Sequence, residues 1–209
     1  MELMNQESVS NYDKLCVQWR EKFITWDHEA IYQNLELDGC HSDHLDITYF
    51  KNPYHIDRKT GIITNLKAPE EKITFDTQMN IYHLFYYSKE KPKNSGDWVP
   101  FRQVKRAAPF ESAFQKMVLE PFADAFSNQT QKLIEAGTAL GFYQLPHGDV
   151  SFYVEAFPCI GMKYIFWDGD DEFPAQANIL FDQNITDFTH EETVVLLAQA
   201  GVDRFLEAL

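Results

Sequence analysis

The residues best suited to chemistry in this sequence lie in an acidic segment near its C-terminal end. Residues 168–172 read DGDDE and so carry four carboxylates in five positions. Such neighbours repel one another unless a cation, an arginine or water screens their charge. One interpretation is a hard divalent cation held by oxygen atoms of Asp170, Glu172 and Asp182, the last of which follows the next predicted strand. A cation there, with Arg102 orienting an anionic substrate, would support metal-dependent hydrolysis.

The same segment also has a structural interpretation. Runs of charge are most often solvated faces, and Asp168-Gly169 is typical of a tight turn between two strands. The spacing of the acidic residues differs from that of an EF-hand loop, which needs a glycine at its sixth position. The sequence therefore leaves open a cation site and a solvated hairpin turn.

A second candidate is the segment 96–102, which reads GDWVPFR and places Arg102 close to the aromatic residues Trp98 and Phe101. A guanidinium group binds a carboxylate through two parallel hydrogen bonds. That carboxylate could belong to a ligand, or it could be one of the protein's own acids at Asp170, Glu172 or Asp182. The second case would make both segments structural, since an internal ion pair would hold the acidic hairpin against the loop that carries Trp98.

The histidines give weaker signals. His41 and His44 lie beside Cys40, as metal ligands can, but their three-residue spacing has no second pair and their acidic neighbours indicate a polar loop. His83 and His147 are candidates for axial ligands of a tetrapyrrole in an aromatic pocket. Aromatic residues at helical spacing more often form a core, so this remains one interpretation among others.

Motifs for nucleophilic catalysis are missing. The sequence contains no Gly-x-Ser-x-Gly elbow, no phosphate-binding glycine loop and no dinucleotide fingerprint. Its three cysteines are far apart and form no Cys-x-x-Cys pair, so they do not predict a zinc ribbon or an iron–sulfur cluster. This pattern favours a binding or accessory protein over an enzyme.

Composition limits the classes further. The 209 residues carry a net charge of −14, which argues against binding to nucleic acid or to an anionic membrane surface. Aromatic residues make up 15% of the chain, which favours a bulky core or a pocket for a flat ligand. The first ten residues resemble no secretory signal, and no apolar run is long enough to span a membrane, so we expect a cytoplasmic protein. The oligomeric state is not predicted.

The periodicity of apolar residues predicts helices and antiparallel strands in separate blocks, which is typical of an α+β fold. Ser10 and Asp27 are predicted to cap two N-terminal helices, and Thr189 with Glu192 forms a predicted capping box for the last one. The remaining predicted elements are strands within 45–66, a helix over 75–87, helices between 109 and 141, and strands at 150–157, 160–167 and 178–181. We expect one compact domain over residues 1–209, with the polar loop 88–97 as its best internal boundary.

Three segments of the chain resemble the domain-of-unknown-function family 3786, which is found chiefly in anaerobic bacteria and archaea. They are WDGDDEFP at 167–174, ILFD at 179–182 and GDWVPFR at 96–102, and the resemblance extends over residues 10–209. Some members of that family are fused to a four-cysteine iron–sulfur module of the kind seen in corrinoid iron–sulfur proteins. The resemblance therefore implies a role near corrinoid or one-carbon redox metabolism, with a redox or corrinoid protein as partner. It assigns no catalytic residue.

Two functions follow from the sequence. The first is a cytoplasmic accessory or binding domain whose ligand is a corrinoid-type cofactor or a partner redox protein. The alternative is a hydrolase that depends on a divalent cation held by the acidic cluster.

Overall fold

The structure of the protein is a computed structural model that describes residues 10–209. Its N-terminal part begins with two capped helices. Helix α1 (Asn11–Phe23) is capped by Ser10, whose Oγ accepts the backbone N–H of Tyr12. Helix α2 (His28–Asn34) is capped by Asp27, whose Oδ1 accepts the N–H of Ala30. Both predicted caps are confirmed, and each provides a backbone N–H of the first turn with an acceptor. The expectation of no leader sequence concerns residues 1–9, which lie outside the described part.

A three-stranded antiparallel sheet follows, with β1 (His44–Tyr49), β2 (Asn52–Asp57) and β3 (Ile63–Asn65) in that order. One face of the first two strands is buried in the core, because the apolar residues alternate with polar ones. The other face is polar, and on it Asp46 of β1 is paired in register with His55 of β2.

Helix α3 (Phe75–Tyr87) has the predicted bounds and packs against α1 and the last helix of the chain. The loop after it, 88–97, crosses to the second sheet and is fixed by hydrogen bonds from both sides. The Asn34 side chain binds the backbone of Lys89 and Lys91, while Asn184 donates to the carbonyl of Lys93. A single apolar core includes residues on both sides of this loop.

The second sheet has five antiparallel strands in the order β4-β8-β7-β6-β5. Their bounds are Trp98–Pro100 for β4, Tyr143–Gln144 for β5, Val150–Phe157 for β6, Ile160–Trp167 for β7 and Gln176–Asp182 for β8. The two longest strands, β6 and β7, have the predicted bounds.

Helices between and after these strands cover the sheet. They are α4 (Glu111–Phe114), α5 (Glu120–Phe126), α6 (Thr130–Ala139) and α7 (Glu191–Glu207). A π-helical segment, Gln115–Leu119, joins α4 to α5. Pro121 is the second residue of α5 and follows the π-helical segment closely. Because proline has no N–H to donate to the preceding turn, its position coincides with the change in helical pitch.

The predicted capping box of the last helix is wrong. His190 is the N-cap of α7, and its Nδ1 accepts the N–H of Glu192 at 3.3 Å. The Thr189 hydroxyl is buried and has no hydrogen-bond partner among the described residues. Both residues carry side-chain acceptors, and the helix begins one residue later than the box requires.

The core is dominated by aromatic side chains, which accounts for the aromatic composition. Phe205 of α7 is fully buried and lies within 5.2–6.5 Å, between ring centroids, of five other aromatic rings. The predicted fold class is confirmed: the protein is α+β, with two antiparallel sheets packed with helices in one compact unit. Within residues 10–209, no helix has the length and apolar character needed to cross a bilayer.

Candidate functional site

The acidic segment forms the exposed turn between β7 and β8. Oδ1 of Asp170 accepts the backbone N–H groups of Glu172 and Phe173, each at 2.8 Å. These hydrogen bonds lower the pKa of the Asp170 carboxyl, because they stabilise its ionised form. The carboxylate thus organises the turn, as the structural interpretation of this segment requires.

Asp182 lies at the opposite end of β8 from that turn. Strand β8 starts at Gln176, paired with Trp167 beside the turn, and six residues of extended chain separate Gln176 from Asp182 by about 20 Å. The structure therefore does not bring Asp170, Glu172 and Asp182 together, and a cation shared by these three residues is ruled out. The prediction failed because β7 and β8 form a hairpin, which carries Asp182 away from the turn.

The Asp182 carboxylate is instead a structural anchor for the end of the loop 88–97. It is 4% exposed. Oδ1 accepts the N–H of Ser95 at 2.9 Å, its hydroxyl at 3.1 Å and the N–H of Asn184 at 2.8 Å, while Oδ2 accepts the N–H of Gly96 at 2.8 Å. With four donors in place, this carboxylate needs no cation.

Arg102 does not form the internal ion pair that the sequence allowed. Its side chain is exposed, and within residues 10–209 it makes no salt bridge with any acidic group. It lines a cleft of about 350 Å³ between the second sheet and the π-helical segment. Arg102 therefore presents a positive charge to a ligand in this cleft.

Aromatic and amide side chains form the rest of this cleft, which we call the Arg102 cleft. Phe101 and Phe114 stack at 4.2 Å between ring centroids, and Trp167, 40% exposed, lies at the end of β7. The remaining polar groups are amides and one carboxylate, from Gln115, Gln176, Asn178 and Glu111. The π-helical segment provides Gln115 and Leu119, and such segments are frequent at functional sites.

Trp98 lies away from this cleft, in register with Asp182. The ammonium group of Lys163 lies 4.1 Å from the centre of its indole ring, and Tyr153 meets the same ring edge-on at 6.0 Å. The cation–π contact fixes Trp98 on the sheet. The sequence segment that carries Trp98 and Arg102 therefore contributes to two different places.

The two histidines considered for a tetrapyrrole have different surroundings. His147 lies exposed in the turn before β6. His83 is largely buried, with Nδ1 at 2.7 Å from the hydroxyl of Thr193 and with Trp19 packed against its ring at 4.6 Å. Neither residue lines any of the clefts described for this part of the chain.

His83 should make the stability of the protein depend on pH. Burial lowers its pKa to about 4, whereas an unfolded chain has a histidine pKa of about 6.5. Between these values the unfolded state binds a proton that the folded state does not, so stability is lost as the pH falls from 6.5 to 4. After solvent screening we expect a loss of about 2 kcal/mol.

Urea unfolding at pH 7 and pH 4.5 measures this loss. The variant His83→Gln keeps a polar group near Thr193 and should lose less stability over the same interval. An equal loss in the variant and in the native protein would show that His83 is not the group responsible.

Residues whose sequence indicated a polar loop form a cluster on the exposed face of the first sheet. His41, His44 and Asp46 place their ligating atoms within 4.8 Å of one another, and His55 of the neighbouring strand adjoins them. The alternation of β1 places His44 and Asp46 on one face. The position of His55 depends on the pairing register of β1 and β2, which the sequence does not reveal.

Comparison with known proteins gives one finding. No curated protein and no solved structure matches the chain. A family model described as "Domain of unknown function (DUF3786)" matches residues 27–204, which include both sheets, the Arg102 cleft and the histidine cluster. The chain therefore belongs to the DUF3786 family, as the sequence resemblance indicated.

Proposed function

We propose that this protein is an accessory domain that binds a small anionic ligand in the Arg102 cleft. The observation that carries the proposal is the lack of an acidic partner for Arg102 within the described residues. An arginine that serves the fold is normally paired with a carboxylate or a carbonyl, whereas one beside a cleft with aromatic walls is suited to a ligand.

The chemistry of the cleft defines the ligand class. The planar guanidinium recognises a carboxylate or a phosphate through two hydrogen bonds. Trp167 and the amides of Gln176 and Asn178 provide an apolar surface and hydrogen-bonding groups for the rest of the ligand. Glu111 adds a negative charge to the same cleft, so it favours a ligand with a single anionic group together with hydrogen-bond donors.

The place of this domain in corrinoid or one-carbon redox metabolism is part of the proposal, and family resemblance is its support. In this proposal the protein acts in the cytoplasm beside a redox or corrinoid protein. That partner holds the macrocycle or the cluster, because His83 and His147 line none of the clefts described here. We do not propose a hydrolase with a cation held by Asp170, Glu172 and Asp182, since these three carboxylates do not converge.

Arg102→Ala should abolish ligand binding and leave the fold intact. Arg102 is exposed and unpaired with the described residues, so its truncation should change the free energy of unfolding by less than about 0.5 kcal/mol. The assay is thermal stabilisation of the native protein by a panel of small carboxylates and phosphates. The compounds that stabilise the native protein should have no effect on the variant.

Lys105→Ala is the matched control, because it removes one exposed positive charge three residues away without altering the cleft. It should respond to the panel as the native protein does. An equal response of Arg102→Ala and Lys105→Ala to every stabilising compound would contradict the proposal. A large loss of stability in Arg102→Ala alone would assign the arginine a structural role.

A further inference from the structure

We propose that His41, His44 and Asp46, with His55 beside them, form a binding site for a first-row transition-metal ion of the Zn²⁺ class. The site lies on the polar face of the first sheet and is independent of the Arg102 cleft. It rests on the way the chain brings the ligands together, on the distances between their ligating atoms, and on a buried carboxylate oxygen.

A tight turn brings the first two ligands together. The N–H of His41 donates to the carbonyl of His44 at 2.9 Å, and Cys40 forms an antiparallel bridge with Leu45. The two imidazole rings then lie 4.4 Å apart between centroids. Cys40 is not a ligand, because its bridge to Leu45 places its side chain on the buried face of the sheet.

The distances between ligating atoms fit a tetrahedral ion. Nε2 of His41 lies 3.3 Å from Oδ2 of Asp46, and Nε2 of His44 lies 3.7 Å from the same oxygen. Ligands bound to zinc at about 2.0–2.1 Å in a tetrahedral arrangement are about 3.4 Å apart. The three groups are thus already separated as ligands of one ion would be.

Neighbouring groups hold these ligands in a metal-binding orientation. Nδ1 of His44 donates to Oδ1 of Asp43 at 2.7 Å, which fixes the imidazole so that Nε2 faces Asp46. A carboxylate that orients a histidine in this way is typical of metal centres. Arg58 stabilises the turn through two hydrogen bonds. Its Nη1 donates to the carbonyl of His41 at 2.7 Å, and its backbone N–H donates to the carbonyl of Asp43 at 3.0 Å.

Asp46 provides a separate indication of a cation. Its Oδ1 is buried and has no hydrogen-bond partner within residues 10–209. The nearest donor is Nδ1 of His55, which is 3.4 Å away but poorly aligned for a hydrogen bond. A buried carboxylate oxygen without a partner is costly. A cation that Asp46 binds through both of its oxygens would compensate for it, since Oδ2 is the atom that faces His41 and His44. His55 stacks on His44 at 4.0 Å between ring centroids, but its nitrogens are not among the ligating atoms that converge, so the fourth position of the ion is left to water.

The donor set selects the metal. Imidazole nitrogens with one carboxylate suit Zn²⁺, Ni²⁺, Cu²⁺ and Fe²⁺, whereas Mg²⁺ and Ca²⁺ prefer oxygen donors throughout. The partly exposed position of His41 and Asp46 leaves the site open to solvent, so the ion can exchange with the surroundings.

Zn²⁺ titration of the untagged, chelator-treated full chain tests this site, with a chromophoric chelator as competitor. We expect one equivalent of Zn²⁺ to bind to the native protein. His44→Ala should weaken binding by about 100-fold or more, and Asp43→Asn, which removes the orienting carboxylate, by about 10–100-fold. His147→Ala removes an exposed histidine from a distant turn and should bind Zn²⁺ as the native protein does.

Co²⁺ provides a second measurement, because its visible absorption reports the coordination geometry of the bound ion. Intense tetrahedral bands in the native protein that disappear in His44→Ala would support the proposal. The proposal is overturned if Zn²⁺ does not bind at one equivalent, or if His44→Ala and His147→Ala bind it equally. The ligand response of the Arg102 cleft should be the same in all these variants, so this test and that of the proposed function fail separately.

Discussion

Asp182→Ala is expected to lower the free energy of unfolding by about 3 kcal/mol, although Asp182 forms no salt bridge within residues 10–209. Its buried carboxylate accepts four hydrogen bonds, three of them from the backbone N–H groups of Ser95, Gly96 and Asn184. Truncation leaves these donors without an acceptor at the point where the loop 88–97 joins β4. Hydrogen bonds to a charged acceptor contribute more than neutral ones, and partial access of water to the loop limits the loss.

Chemical unfolding of three proteins checks this expectation. Asp171→Ala removes an equal charge from the exposed turn and should change stability by less than about 0.5 kcal/mol. Asp182→Asn keeps the size of the side chain but replaces one acceptor with a donor, so its loss should fall between the two. Equal stabilities of Asp182→Ala and Asp171→Ala would show that this carboxylate does not anchor the loop.

Phe205→Ala should be the most destabilising of these substitutions, with a loss of about 4 kcal/mol. Phe205 lies on α7 and is fully buried, and its ring contacts the rings of α5, the second sheet and the segment after α6. Its neighbours, given as centroid distances, are Phe142 at 5.2 Å, Phe122 at 5.4 Å, Tyr164 at 5.6 Å, Phe152 at 5.7 Å and Phe126 at 6.5 Å. Removal of the ring leaves a cavity that these rigid neighbours can fill only in part.

The comparison for this substitution is Phe173→Ala, because Phe173 is 62% exposed on the acidic turn. Its stability should stay within about 0.5 kcal/mol of the native value. Phe205→Leu should lose less than Phe205→Ala, since it refills most of the volume. Equal melting temperatures of Phe205→Ala and Phe173→Ala would contradict the description of the core.

Local patterns in the sequence predicted most of the fold. The bounds of α3, β6 and β7 were predicted correctly, because each carries a sustained apolar period bounded by turn residues. The start of α7 was misplaced because Thr189 and His190 can both accept a hydrogen bond from the first turn. Which of them does so depends on the chain before the helix, where Thr189 is buried.

The candidate sites depended on longer-range information. Arg102 faces a cleft because the π-helical segment packs beside the second sheet. No local sequence pattern predicts that packing. Asp182 was grouped with the acidic turn because both flank β8, but they flank its opposite ends. The histidine cluster needed the tight turn that brings His41 beside His44 on the face that carries Asp46, and residue spacing alone does not predict that turn.

The central claim is that the Arg102 cleft holds a small anionic ligand, and native mass spectrometry of the anaerobically purified protein tests it most directly. We predict that the native chain and Lys105→Ala retain the same small-molecule mass and that Arg102→Ala loses it. Metal analysis of the same samples separates that mass from an ion bound at the histidine cluster. The claim is contradicted if the native chain carries no small molecule, or if Arg102→Ala retains the same one.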